Sequence, residues 1–158
     1  MKTKNIIELE GVKYSVGEVE VTYKTKTKPY LKVSSSKDTF NILERLWSDK
    51  IEYQEEFCIL CLNRANNVVS FTKVSMGGVN QITTDLKMIL QICLASNASG
   101  LILSHNHPSG NMKPSQEDVN LTKKAEEACK LFDITMLDHI IMSKDSYFSF
   151  ADEGLINW

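Results

Sequence analysis

The sequence predicts an α/β fold: one domain with a curved, mixed β-sheet flanked by helices. Three observations lead there. Short apolar runs of strand length alternate with segments of helical periodicity. Polar turn residues separate them. The 158 residues, 42% of them hydrophobic and 24% charged, match a single soluble globular domain large enough to bury a real core.

The elements follow in order. Residues 6–33 alternate weakly and carry Val16, Val19, Val21 and Tyr23, which predicts two or three short strands with a turn at 25–29. Asp38 is placed to cap a helix that carries Phe40, Leu43, Leu46 and Trp47 on one face. Phe57–Leu62 is apolar at every position, the pattern of a central strand covered on both sides. Residues 63–67 read as a turn and Val68–Val74 as the hairpin partner. Thr84 can cap a helix with Leu86, Ile89, Leu90, Cys93 and Leu94 at helical spacing. Gly100 punctuates, and Leu101–Leu103 is a short buried strand. A polar-faced helix is expected over Ser115–Leu131, a strand over Ile134–Ser143, and a last short strand over Tyr147–Phe150. From Phe57 onward the order is β-β-α-β-α-β-β, which gives a mixed sheet with helices packed on it.

The most informative stretch is Ser104-His105-Asn106-His107-Pro108-Ser109-Gly110, with Ser115 and Asp118 following. On an extended chain, side chains at i and i+2 share a face, about 6–7 Å apart. His105 and His107 can therefore converge on one cation. The Pro-Ser-Gly turn returns the chain to a helix whose first turn offers Asp118 as a third ligand. Three protein ligands leave one tetrahedral position for water, the pattern of a catalytic zinc rather than a structural one. Taken alone, Ser115-x-x-Asp118 is a capping-box variant and His-x-His an ordinary polar loop. The two roles are compatible, since Ser115 can cap while Asp118 ligates.

Other readings of the same letters fail. A zinc nucleobase deaminase needs His-x-Glu and a later Pro-Cys-x-x-Cys, and the sequence has neither. The tripeptide His-Asn-His is no nuclease signature, because that motif is not contiguous in nucleases. Cys58-x-x-Cys61 lies mid-strand with no second pair, so these are expected to be buried thiols. Asp138-His139 follows a helix of ~25 Å that leads away from the site, so this pair is expected far from the metal. Gly77-Gly78 is expected in a loop on the rim of the site.

His105-x-His107-Pro108, Ser115 and Asp118 resemble the JAMM (JAB, or MPN-plus) metalloprotease motif. Ser-His-Asn-His-Pro-Ser-Gly, Pro-Ser-Gln-Glu-Asp and Leu-Asp-His-Ile-Ile resemble its RadC-like branch, over about residues 38–158. The resemblance implies a JAB/MPN, cytidine-deaminase-like architecture for 38–158, with 1–37 as a strand-rich extension packing on it. It implies one zinc per chain held by His105, His107 and Asp118. The family signature adds a glutamate at the start of a buried strand, where Glu56 is the expected general base and Glu55 its one-residue competitor. Ser115 would donate to the developing oxyanion. The implied activity is hydrolysis of a peptide or isopeptide bond by a glutamate-activated water. The family's traditional label offers an alternative: a DNA repair or recombination accessory with little or no hydrolase activity. Asn106 stands where the deubiquitinating branch has Ser or Thr.

The net charge of −2 argues against a protein that coats nucleic acid. It is unevenly spread: residues 1–37 hold eight lysines against four glutamates, a net of +4, and the remainder nets −6. That lysine-rich N-terminus is the one candidate contact for DNA, beside an unidentified peptide or protein substrate. An exposed strand edge there is a candidate homodimer contact. No secretion signal or membrane-length apolar run is visible, and the cysteines sit in apolar segments. A reducing, cytoplasmic location with no membrane partner is therefore expected.

Overall fold

Among the described residues five strands form one mixed sheet, and their order is what places the histidines. The computed structural model describes residues 6–17, 30–76 and 85–156. Within them, β3 (Glu56–Leu62), β4 (Val68–Met76), β5 (Gly100–Asn106), β6 (Thr135–Met142) and β7 (Tyr147–Ser149) line up as β4-β3-β5-β6-β7. Only β5 and β6 run parallel; the other neighbours are antiparallel. A parallel pair needs a crossover, and α3 (Gln116–Lys130) supplies it.

Helices cover both faces. On one, α2 (Leu86–Ala95) and α3 bring Ile89, Cys93, Ala125 and Cys129 against Phe57, Ile59, Cys61, Leu101, Leu103 and Ile141. On the other, α1 (Ser36–Leu46) brings Phe40, Ile42 and Leu43 against Leu60, Leu62, Ile102, Ile140 and Met142. Every residue of β3 and β5 is buried, as the unbroken apolar run of β3 predicts for a strand covered twice. Each fully buried Leu or Ile contributes about 1.5–3 kcal/mol relative to exposure. Gly100 leaves room where β5 begins, since a Cβ there would lie 3.0 Å from Leu137 Cδ1 and 3.4 Å from Leu62 Cβ.

The local signals hold with small shifts. The β3–β4 turn is closed by Asn63, whose Oδ1 accepts from the N–H groups of Ala65 and Asn67, while Asn66 takes the left-handed φ of 56°. Ser35, rather than Asp38, caps α1. Asp38 stands three residues later, donates its backbone N–H to Ser35 Oγ and accepts from Ser34 N–H, a position the helix dipole favours for an acid. Leu46 is 39% exposed at the end of that helix, and Trp47 forms its C-cap. Asp85 caps α2; Thr84 and Gly77-Gly78 lie outside the described residues. All four cysteines are free and buried.

Of the expected N-terminal extension, β1 (Ile6–Leu9) and β2 (Val12–Ser15) form a separate antiparallel hairpin, exposed at every strand position. Residues 18–29 lie outside the described residues. The chain then runs along the β3–β4 turn, where Lys32 bridges Asn67 and Val33 enters the core. No helix among the described residues is long and apolar enough to cross a membrane.

Candidate metal centre

The site lies at the C-terminal ends of the parallel strands, where open α/β sheets carry their ligands. His105 is the sixth residue of β5 and is buried. Beyond the strand, His107 donates its backbone N–H to Met142 O at 3.1 Å, which holds the chain extended past the sheet edge. Pro108–Gly110 then turns: Gly110 N–H donates to His107 O, and Gly110 adopts a φ of +74° that favours glycine. The turn delivers Ser115 to the N-cap of α3 and Asp118 to its first turn.

Three side-chain atoms converge. His105 Nε2 lies 2.9 Å from His107 Nε2 and 3.2 Å from Asp118 Oδ1, and His107 Nε2 lies 3.7 Å from Asp118 Oδ2. The ligand atoms of the three residues all fall within 4.8 Å of one another, so the group could hold a metal ion. The chemistry of the donor set fits one. His107 Nδ1 faces the carbonyl of Asn111, which can only accept, so that nitrogen carries the proton and Nε2 of the neutral ring offers a lone pair. Two ring nitrogens and a carboxylate turned on one another call for a cation or a proton between them.

Hydrogen bonding to Asp118 raises His107 above its ordinary value, against the opposing effect of burial, with the Glu55 charge adding to the rise. Burial pushes Asp118 up, but the nearness of the His105 and His107 rings outweighs that and holds the carboxyl well below the usual carboxylate range. Ser115 closes a capping box: its Oγ accepts from Asp118 N–H at 3.1 Å. Its own N–H and hydroxyl each donate to Asp118 Oδ2 at 2.7 Å. The cap therefore also fixes the orientation of the carboxylate.

Glu56 does not join them. Phe57 pairs directly with His105 across the antiparallel strands and stacks with it at 6.1 Å, so those two share a face. Alternation turns Glu56 to the opposite face. There, fully buried, it accepts from Lys73 Nζ at 2.7 Å and from Ser48 Oγ at 2.9 Å to both oxygens. Glu55 instead lines an open cleft of about 540 Å³ with His107, Ser115, Tyr53 and Lys113. The register of β3 on β5, which sequence does not give, turns Glu56 away from the cluster and leaves Glu55 beside the cleft.

Two further residues acquire contacts that sequence reasoning did not assign. Asn106, between the histidines, points to the Glu56 face and is fully buried. It accepts from Glu56 N–H at 2.7 Å and donates to Ile51 O and Gln54 O at 2.7 and 2.9 Å. It thus ties the segment carrying Glu55 to the strand carrying His105. His139, expected far from the site, has its Nε2 2.9 Å from His105 Nδ1. β6 does begin at the far end of α3, but His139 is registered beside Leu103, only two residues below His105 on the same face. That step of about 6.6 Å is easily spanned by two imidazoles. Burial holds the His139 pKa well below its ordinary value, with the nearby His105 acting in the same direction. Alternation along β6 turns the adjacent Asp138 to the other side, where Ser149 and the Ala151 N–H bind it.

The chain has clear relatives. The family model described as a RadC-like JAB domain matches residues 33–155. A UPF0758 protein of Flavobacterium johnsoniae is 37% identical over 158 residues, covering 98% of this chain and 68% of that protein. A UPF0758 protein of Porphyromonas gingivalis is 41% identical over 104 residues, covering 65% of this chain and 46% of its own length. One from Coprothermobacter proteolyticus is 39% identical over 127 residues, covering 79% and 54% respectively. The chain thus spans between about half and two thirds of the length of these relatives.

Proposed function

The chain belongs to the RadC-like JAB domain family, and from that premise we propose that it is a zinc-dependent hydrolase of peptide or isopeptide bonds. One observation carries the reading: the lone-pair atoms of His105, His107 and Asp118 meet within 4.8 Å at the edge of a cleft that Glu55 also lines. A neutral-imidazole and carboxylate set suits zinc among common cations. When bound, zinc supplies Lewis acidity toward a carbonyl oxygen and makes water acidic enough to be deprotonated near neutral pH.

The protein's own groups do the rest. Glu55, rather than Glu56, takes the proton of the attacking water on its carboxylate and returns it to the leaving amine. Ser115 holds Asp118 in place. Its hydroxyl lines the cleft, and on rotating away from Asp118 Oδ2 it donates to the developing oxyanion. Asn106 keeps the Glu55 segment in register with the metal-binding strand.

Elemental analysis of the purified protein beside His107→Ala tests the centre. About one zinc per chain, lost in the variant, is the expected outcome. Absence of metal from the wild type after zinc is supplied would break the hydrolase reading.

A further inference from the structure

Three hydrogen bonds run in series behind His105, and their directions are fixed from one end. Thr122 Oγ1 lies 2.6 Å from the backbone carbonyl of Asp118, one helical turn earlier in α3. A carbonyl only accepts, so the single hydroxyl proton of Thr122 is committed to it. The same Oγ1 lies 2.7 Å from His139 Nδ1 and must therefore accept there, which places a proton on Nδ1. His139 is fully buried. Its ring stacks on Phe150 at 4.7 Å and meets Phe57 edge-on at 5.9 Å. No carboxylate touches it among its described contacts. An imidazolium in that setting is strongly disfavoured, so the ring is neutral and carries only the one proton. Its Nε2 is then an acceptor, and His105 Nδ1, 2.9 Å away, is the donor.

We propose that Thr122 and His139 are positioning residues that lock His105 in the Nδ1–H tautomer, so that its Nε2 lone pair faces His107 and Asp118. The inference rests on the reading of this cluster as a metal centre and adds how the first ligand is prepared for the ion. It also explains why a second imidazole is buried beneath the first. Metal-bound histidines commonly donate their other ring N–H to a carboxylate, carbonyl or water. Here a neutral histidine serves, and its own tautomer is set by a threonine. The circuit closes on one helix turn: the backbone of Asp118 sets the tautomer of the ring that its own carboxylate faces at 3.2 Å. Helix α3 thus supplies the third ligand and orients the first.

Two measurements decide it. Ring-nitrogen NMR of the metal-free protein reads the tautomers directly: His105 and His139 should each be protonated at Nδ1. A wild-type His105 protonated at Nε2 overturns the proposal. Zinc affinity is then compared by chelator competition in two variants. His139→Phe keeps a flat ring against Phe150 but removes the acceptor; His139→Gln returns an acceptor oxygen. The Phe variant should lose about 10–100-fold in affinity and show a mixed His105 tautomer, and the Gln variant should recover most of both. A role confined to packing would show the reverse, with Phe tolerated and Gln harmful. Thr122→Val, which changes little volume, gives an independent check should His139→Phe fail to fold. It should mix the tautomers of both rings and weaken zinc by a smaller factor, whereas unchanged tautomers would sink the proposal. Should the wild type bind no zinc, the metal reading falls, while the NMR result on metal-free protein still decides the tautomer.

Discussion

Two carboxylates, one on each face of the same sheet, are handled in opposite ways. Glu56 is fully buried, yet Lys73 and Ser48 supply a cation and a hydroxyl donor from within the fold. Asp118 receives two donors from Ser115, but its other neighbours are imidazole nitrogens whose protons point elsewhere. One charge is compensated by a fixed cation of the chain; the other faces two imidazoles, which can meet it with a proton or leave room for a metal ion. Burial of a charge is therefore a poor marker of function, since structural pairs bury charge too. Acceptors turned on acceptors are the better marker, because a fold gains nothing from that arrangement alone.

Exchanging the two adjacent glutamates breaks or sharpens this contrast most strongly. Glu55→Gln should keep the metal and the melting temperature but lower hydrolysis about 10²–10⁴-fold, the usual worth of a positioned general base. Glu56→Gln should do the opposite. It leaves Lys73 without its counter-charge beside a buried amide and should cost about 3 kcal/mol in stability by denaturant titration, with metal still bound. Loss of hydrolysis in Glu56→Gln at unchanged stability, beside a fully active Glu55→Gln, would show that the faces are assigned the wrong way round.

The sequence could not make that assignment, for a physical reason. Phe57–Leu62 and Leu101–Leu103 are apolar on both faces because helices cover both, so no alternation shows which way a neighbouring acid points. Face is set by the register of β3 on β5, a contact between segments about forty residues apart. The local signals were legible: the Ser115–Asp118 box, the Asn63–Asn67 turn, and the His-x-His spacing all act within a few residues. The length of α3 alone does not reveal that His139 stands deep enough in β6 to return to the level of Leu103, two residues below His105. The contacts of Asn106 are not legible in the sequence either, because its partners at Ile51 and Gln54 are distant along the chain.

Asn106 offers the next largest effect, because it is the stitch between the two faces. Asn106→Ala removes one acceptor from Glu56 N–H and two donors from Ile51 O and Gln54 O. Leaving the buried Glu56 N–H without its acceptor should cost about 2 kcal/mol, with little added by the two half-buried carbonyls, which water can reach. Hydrogen exchange should localise the damage: the Glu56 amide should exchange faster while the amides of central β5 stay protected. Uniform loosening of the sheet instead would make Asn106 an ordinary core residue rather than a tether for the Glu55 segment.

The smallest expected effect separates a proton from a metal at the same atoms. Asp118 raises His107 above its ordinary value of 6.5, so in the metal-free protein the charged pair stabilises the fold. That contribution is complete below pH 6.5 and disappears as the pH rises through the raised pKa. The His107 side chain is 18% exposed, so solvent screening keeps the change modest. Zinc requires His107 Nε2 without its proton, so its binding gains over the same window. The melting temperature of the metal-free protein should therefore fall slightly with rising pH, while the increment produced by added zinc grows. His107→Ala should flatten both trends. A zinc increment that shrank as the pH rose would mean that the ion does not compete with the proton on His107, and that whatever neutralises Asp118 does so without this ring.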